Sequence, residues 1–246
     1  IIGDLKSLVS TVIKNWDKNN WLSSNNYILS LNRFLVKFNE LNLNSKILDI
    51  GCGRGKIIGS LSSRLKLKTK PIGIDLVNHK DKDRRIDFKK IDALSFFQSN
   101  KKKFDLILIK QTIHLLNFYE IKSLLVLLKR NLKPKGKIFI FTLNPNKNEL
   151  PKFRLMSTKL SKSLKRDKKI LKFISKLYPK RILKYFSFKV KISKKKYMEM
   201  ISKRFISTLL DFNNQQILSG IKEIDLKYKK NLIFNDKLVC IIIKNN

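Results

Sequence analysis

Asp49-Ile50-Gly51-Cys52-Gly53-Arg54-Gly55 is where residue type and spacing come closest to chemistry. Three glycines at alternate positions follow an acidic residue, directly after an apolar run and directly before an amphipathic one. Backbone without side chains can turn tightly there and come close to a ligand, and the free N–H groups that open a helix favour negative charge. Two nucleotide-binding readings fail on spacing. A Walker loop needs Gly, four residues and then Gly-Lys-Ser/Thr, but Gly55-Lys56 is followed by Ile57 and position 50 is Ile. The dinucleotide fingerprint Gly-x-Gly-x-x-Gly, counted from Gly51, would put its third glycine at Lys56. What remains is acid-x-Gly-x-Gly-x-Gly.

Hydrophobic periodicity gives the elements that must hold this loop. The segments 46–50, 71–75, 86–93, 104–110 and 137–143 predict strands, the first of them buried, and the amphipathic stretches 56–67 and 119–132 predict helices between them. Pro134-Lys135-Gly136 reads as the turn before the fifth strand. Strands alternating with helices imply βαβ units, and strands without a polar side imply a parallel sheet covered on both faces. Near the end of the chain, 231–234 and 237–244 flank Asn235-Asp236 and read as a hairpin. The sequence thus divides into a helical N-terminal cap (1–42, with Trp16, Trp21, Tyr27 and Phe34), a core (43–145), an inserted segment (146–205) and a terminal helix and hairpin (206–246), together one domain.

Over roughly 43–145 this pattern resembles the class I S-adenosylmethionine (SAM) dependent methyltransferases. The resemblance implies a doubly wound α/β fold, a seven-stranded, mostly parallel sheet of order 3-2-1-4-5-7-6 with the last strand antiparallel. It implies SAM as cofactor and S-adenosylhomocysteine (SAH) as product. Asp49, Gly51, Cys52, Gly53 and Gly55 match the family's first motif, beneath the methionine part of SAM. Asp75, beside Leu76, matches the acid that receives the ribose hydroxyls, and one carboxylate can accept both. Asp92-Ala93 match the pair at the adenine edge, while Lys110-Gln111 end the fourth strand, which borders cofactor and acceptor. His114, just beyond, falls where the family's acceptor pocket begins and is the candidate base or acceptor-orienting residue, able to titrate near neutrality. The bland alternatives are a histidine bonded within a helix start and aspartates that merely cap helices. The segments 197–205, 215–224 and 233–238 resemble more loosely the small-molecule "type 11" group, which implies a small acceptor rather than RNA or protein.

His79, in the charged loop Asn78-His79-Lys80-Asp81-Lys82-Asp83, reads as solvated. Cys52 reads as a small residue filling the loop, although a helix N-terminus could lower its thiol pKa. With Cys240 the only other cysteine and two histidines in all, neither a disulfide framework nor a metal site is expected. No apolar run approaches the length of a membrane span, and no leader pattern opens the chain, so the expected location is cytoplasmic.

The net charge of +37 invites polyanions. The chain is also crowded with Lys, Ile and Asn, which an A/T-rich coding bias alone would produce. The charge is nevertheless concentrated: over 152–196 there are about 18 Lys or Arg and one acid, Asp167. Ile170, Phe173, Ile174 and Leu177, then Ile182, Leu183 and Phe186, recur within it as if on a pair of cationic amphipathic helices. Such a lid could cover an anionic acceptor, touch an anionic membrane surface or track a phosphate backbone. The favoured reading is methyl transfer to a small metabolite, neutral or anionic. An RNA methyltransferase is the alternative, and a silent SAM-fold scaffold a third.

Overall fold

The computed structural model describes residues 20–245; Trp16, expected in the N-terminal cap, lies outside them. Seven strands form one sheet: β1 (Ile47–Ile50), β2 (Ile72–Asp75), β3 (Asp87–Lys90), β4 (Phe104–Lys110), β5 (Leu132–Leu143), β6 (Ile182–Ser193) and β7 (Asn231–Lys244). Their order is β3-β2-β1-β4-β5-β7-β6, as the resemblance implies. Pairs from β3 to β5 are parallel, and β7 runs antiparallel to both β5 and β6.

Helices α1 (Asn25–Phe38) and α2 (Lys56–Leu65) cover one face of the sheet. Their buried Tyr27, Leu31, Leu35, Ile58 and Leu61 meet Ile47, Leu106, Leu108, Phe139, Phe141 and Leu238. Helices α3 (Ala93–Ser99), α4 (Phe118–Arg130) and α5 (Arg154–Leu177) cover the other, packing Phe96, Leu124, Leu128, Ile170 and Ile174 on Leu48, Ile50, Ile107 and Ile109. Both faces being dry, β1 is buried at every position, and a continuous apolar run is what such a strand requires. A smaller core joins α6 (Lys194–Ser202) and α7 (Asn214–Lys227) to the start of α5 and to the Ser193 end of β6 and the Asn231 end of β7. Side chains cap most helices: Asn117 with Glu120 and Asn213 with Gln216 form reciprocal capping boxes on α4 and α7.

Three expectations need correction. The basic insertion is not a pair of helices: α5 is helical as read, but 182–193 form strand β6. There Phe186, Val190 and Ile192 are buried while Tyr185, Ser187, Lys189 and Lys191 are exposed, a period of two that outweighs the apolar triplet Ile182, Leu183 and Phe186. Nor do Asn235-Asp236 turn a hairpin. They lie inside β7, where β6 supplies an unbroken register from Ile182↔Ile242 to Ser193↔Asn231, with Asp236 opposite Phe188. Pro134-Lys135-Gly136, read as a turn, are carried within β5, with Lys135 at φ 63° and the register with β4 shifting beside them.

Candidate functional site

The carboxyl ends of β1, β2 and β4 and the start of β7 meet at one edge of the sheet. Alternation of side chains puts Asp49, Asp75, Lys110 and Asp236 on the same face there, the one covered by α1 and α2, since Ile47, Leu108 and Leu238 two positions away pack in that core. The edge lies where strand order reverses between β2-β1 and β4-β5, the place open α/β sheets reserve for ligands.

The glycine loop joins β1 to α2. At Gly51 the backbone is left-handed (φ 71°), and an added Cβ would lie 2.2 Å from Thr112 Oγ1, so the loop can close on the β4 tip only without a side chain. Gly53 is also left-handed (φ 55°), but an added Cβ would meet nothing within 4 Å. The space over Gly53 is therefore open rather than filled by packing. The Asp75 carboxylate shapes the loop directly, accepting from Gly53 N–H at 2.8 Å and, through its other oxygen, from Val77 N–H at 2.8 Å. Gly55 starts α2 with no side-chain cap, so no side chain at that position takes up the first N–H groups of the helix. A cradle of this kind, with an acid at each side, fits SAM.

Leu76, beside Asp75, is exposed. Ile91 N–H donates to Asp75 O, which draws Asp92-Ala93 against the end of β2. Asp92 is a helix cap, its Oδ1 accepting from Ser95 N–H at 2.9 Å. Asp49 is buried, and burial pushes its carboxyl up to about 7; Lys110 opposes that rise and Asp75 adds to it. Lys110 Nζ donates to Gln111 Oε1 at 3.0 Å and stands 5.4 Å from the centre of the Tyr27 ring. Gln111 holds a left-handed backbone (φ 53°) pinned by its N–H to Phe141 O, a strain of the kind found at ligand-facing turns.

On the far half of this edge, sequence reasoning pointed to Trp21 and Tyr27 of the N-terminal cap but missed Asp236. Asp236 is buried and accepts from Trp21 Nε1–H at 3.3 Å. Burial raises its carboxyl, while Lys110 pulls the other way. The Tyr27 hydroxyl is wholly buried, its pKa raised by burial and then by Asp236, and it has no partner at hydrogen-bond distance. One signal was available: Leu232, Phe234, Asp236 and Leu238 are alternate, and an acid in an apolar register is unusual. Thr112 against Gly51 left no local trace in the sequence.

Three further expectations change. His114 sits in the single turn Ile113–Leu115, where burial, and then Arg166 of α5, hold its imidazole down at about 4. It is neutral at pH 7 and does not titrate near neutrality. Arg166 also donates to Leu116 O at 3.0 Å, tying the basic helix to this turn. The Cys52 thiol is pushed up, by burial first and by Asp49 and Asp75 next, not lowered by α2. It lies over Gly73 of β2, where an added Cβ would be 2.8 Å from its sulfur. His79 is buried rather than solvated, because the loop after β2 folds back on α2: Asp83 N–H donates to Arg54 O, and the Asp83 carboxylate is held by Arg85 and lies over Gly59. Among the described residues no group of histidines, cysteines and acids could hold a metal, and no helix is long and apolar enough to cross a membrane.

A family model described as a methyltransferase domain matches residues 41–204, two thirds of the chain. The chain belongs to the class I SAM-dependent methyltransferases. No curated protein sequence matches it. Among solved structures, this methyltransferase superposes on YjhP from E. coli with a TM-score of 0.54 at 14% identity, covering 93% of this chain and 97% of that one. The plantazolicin methyltransferase BamL, solved with a triazolic desmethylPZN analog and SAH, gives 0.52 at 20% identity, covering 98% and 91%. A methyltransferase of Bacillus halodurans gives 0.51 at 14%, covering 87% and 98%. At these identities the likeness is one of fold.

Proposed function

We propose that this methyltransferase transfers the methyl group of SAM to a small molecule held between Lys110, Asp236, Tyr27 and Trp21. One observation carries the reading: the charged side chains at the sheet edge form a row, with Asp75 and Asp49 on the glycine-loop side and Lys110 and Asp236 on the side roofed by α1. SAM supplies an already activated methyl on a sulfonium, so the protein's task is alignment. Asp75, already oriented by two backbone N–H groups, accepts the ribose hydroxyls on its remaining lone pairs. Asp49 faces the amino-acid ammonium, Leu76 lends apolar surface, and Asp92-Ala93 read the adenine edge. Gly51, Cys52, Gly53 and Gly55 contribute backbone only. Lys110 and Gln111 stand between the halves.

On the acceptor side, the unpartnered Tyr27 hydroxyl and the Asp236 carboxyl offer a donor and an acceptor in a buried setting, where hydrogen bonds orient strongly. His114, neutral, orients an acceptor proton better than it removes one. The burial of Asp236, and of Tyr27 on the inner face of α1, favours a small acceptor over a polymer.

The test is calorimetry with SAH, followed by methyl-labelled SAM offered a cell extract split into low-mass and RNA fractions. One-to-one SAH binding, weakened about 5- to 100-fold by Asp75→Ala as a charge-assisted pair of bonds is lost, and label in the low-mass fraction are expected. Absent SAH binding, or label confined to RNA, would overturn the proposal.

A further inference from the structure

The opposite end of the sheet carries a second concave, charged place. Where α1 ends, a groove of about 460 Å³ opens between its last turn and strands β5, β6 and β7. Val36, Leu41, Ile182 and Ile242 give it an apolar floor. Lys37, Lys137, Lys184 and Lys244 converge on it, and Glu40 is the one acid in its lining. Counting six residues from Lys137 to Leu143 along β5, it lies about 20 Å from the methyl-transfer edge.

The arrangement of these lysines is harder to assign to coding bias than their number. Lys137 and Lys244 are direct partners across the antiparallel β5–β7 pair, where like charges destabilise. Lys137 is half-buried and fixed, donating to Phe38 O at the end of α1 at 2.8 Å. Burial, and next the Lys244 charge, hold its ammonium below the ordinary value, and Glu40 offsets only part of this. The Phe38 ring lies between two more of the cations, 5.6 Å from Lys37 Nζ and 5.1 Å from Lys184 Nζ. By contrast, Lys162 and Lys169 on α5 point outward from a convex, exposed surface. A pair of opposed ammoniums in a concave site is relieved by an anion that bridges them, and lysines serve phosphate well as point charges. A groove of this volume suits a small molecule.

We propose that this groove binds an organic phosphate, its phosphoryl group bridging Lys137 and Lys244 and its apolar or planar body lying on Phe38, Ile182 and Ile242. The site is independent of the methyl-transfer reading. The probes are phenyl phosphate, inorganic phosphate and benzoate, titrated calorimetrically into the full chain at about 0.15 M salt, where loose surface attraction is screened. Phenyl phosphate is expected to bind one-to-one, at least tenfold tighter than benzoate and tighter than inorganic phosphate. Lys244→Gln and Lys184→Gln, both of which leave the Lys137 bond to Phe38 O in place, should each weaken it several-fold, and Lys137→Gln/Lys244→Gln at least tenfold. Lys162→Gln/Lys169→Gln, with the same charge change on α5, should leave it within twofold. Thermal melts and SAH titrations of every variant show whether the fold is intact. Equal weakening by the two double variants, binding at many sites, or no binding of phenyl phosphate to the folded protein would overturn the proposal.

Discussion

Gly53→Ala separates a cofactor cradle from a merely tight turn. The added methyl meets no protein atom within 4 Å, so the folded chain bears only the left-handed backbone, φ 55°. That strain costs about 1–2 kcal/mol, or roughly 2–8 °C in Tm for a chain of this size. In the complex the same methyl occupies the space a ligand must approach. Overlap of one methyl costs about 1–3 kcal/mol, which is a loss of about 5- to 150-fold in affinity. Gly51→Ala should do the reverse, because its Cβ runs into Thr112 at 2.2 Å. Strain and overlap together amount to about 2–5 kcal/mol of stability. Adding Thr112→Ala should recover the overlap but not the strain. Thermal melts and SAH calorimetry on the same samples read both effects. If SAH bound Gly53→Ala as tightly as the parent, the loop would not be the cofactor's cradle and the reasoning would fail at its first step.

Three other outcomes are expected. Since the Asp49 carboxyl ionises at about 7 in the fold but near 3.8 when unfolded, its charge penalises the folded state increasingly between those values. The Tm of Asp49→Asn should therefore gain on the parent from pH 4 to 7 and keep a constant lead above. His114 behaves oppositely: held at about 4 against 6.5 unfolded, it costs stability as pH falls through that interval. Its ring-proton NMR signal should stay fixed from pH 6 to 8, and movement there would restore it as a near-neutral titrating base. Tyr27→Phe removes a buried hydroxyl without a partner, so Tm should hold or rise, with up to about 1 kcal/mol gained, and SAH affinity should not change.

The half of the site nearest the glycine loop was legible because its determinants are local. Asp49, the alternating glycines, Asp75 and Lys110-Gln111 each sit at a strand end, where the sequence itself switches from apolar run to loop. The far half depends on contacts between distant segments. Asp236 acquires meaning from Trp21, 215 positions earlier, and Asn235-Asp236 resembles a turn until β6 is paired beside it. Period-two alternation in 182–193 was present in the sequence, but Lys-rich composition and the helix before it made a helical reading attractive. The protonation of His114 depends on Arg166 and on burial, neither of which its neighbours in sequence encode.

The position of β7 also bears on how the chain reaches this structure. β7 lies between β5 and β6, yet both neighbours precede it in sequence, so β6 can join the sheet only after β7 has arrived. Until then the growing or refolding chain exposes the open edge of β5 and a lone β6 bearing Phe186, Phe188 and Val190. Unpaired edges of this kind invite association with other chains, and pairings between distant segments form slowly. Lysines at 184, 189 and 191 put repelling charge on that strand for as long as it waits. Charge on part of the basic insertion therefore works against edge-to-edge pairing of β6 with other chains until β7 closes the sheet.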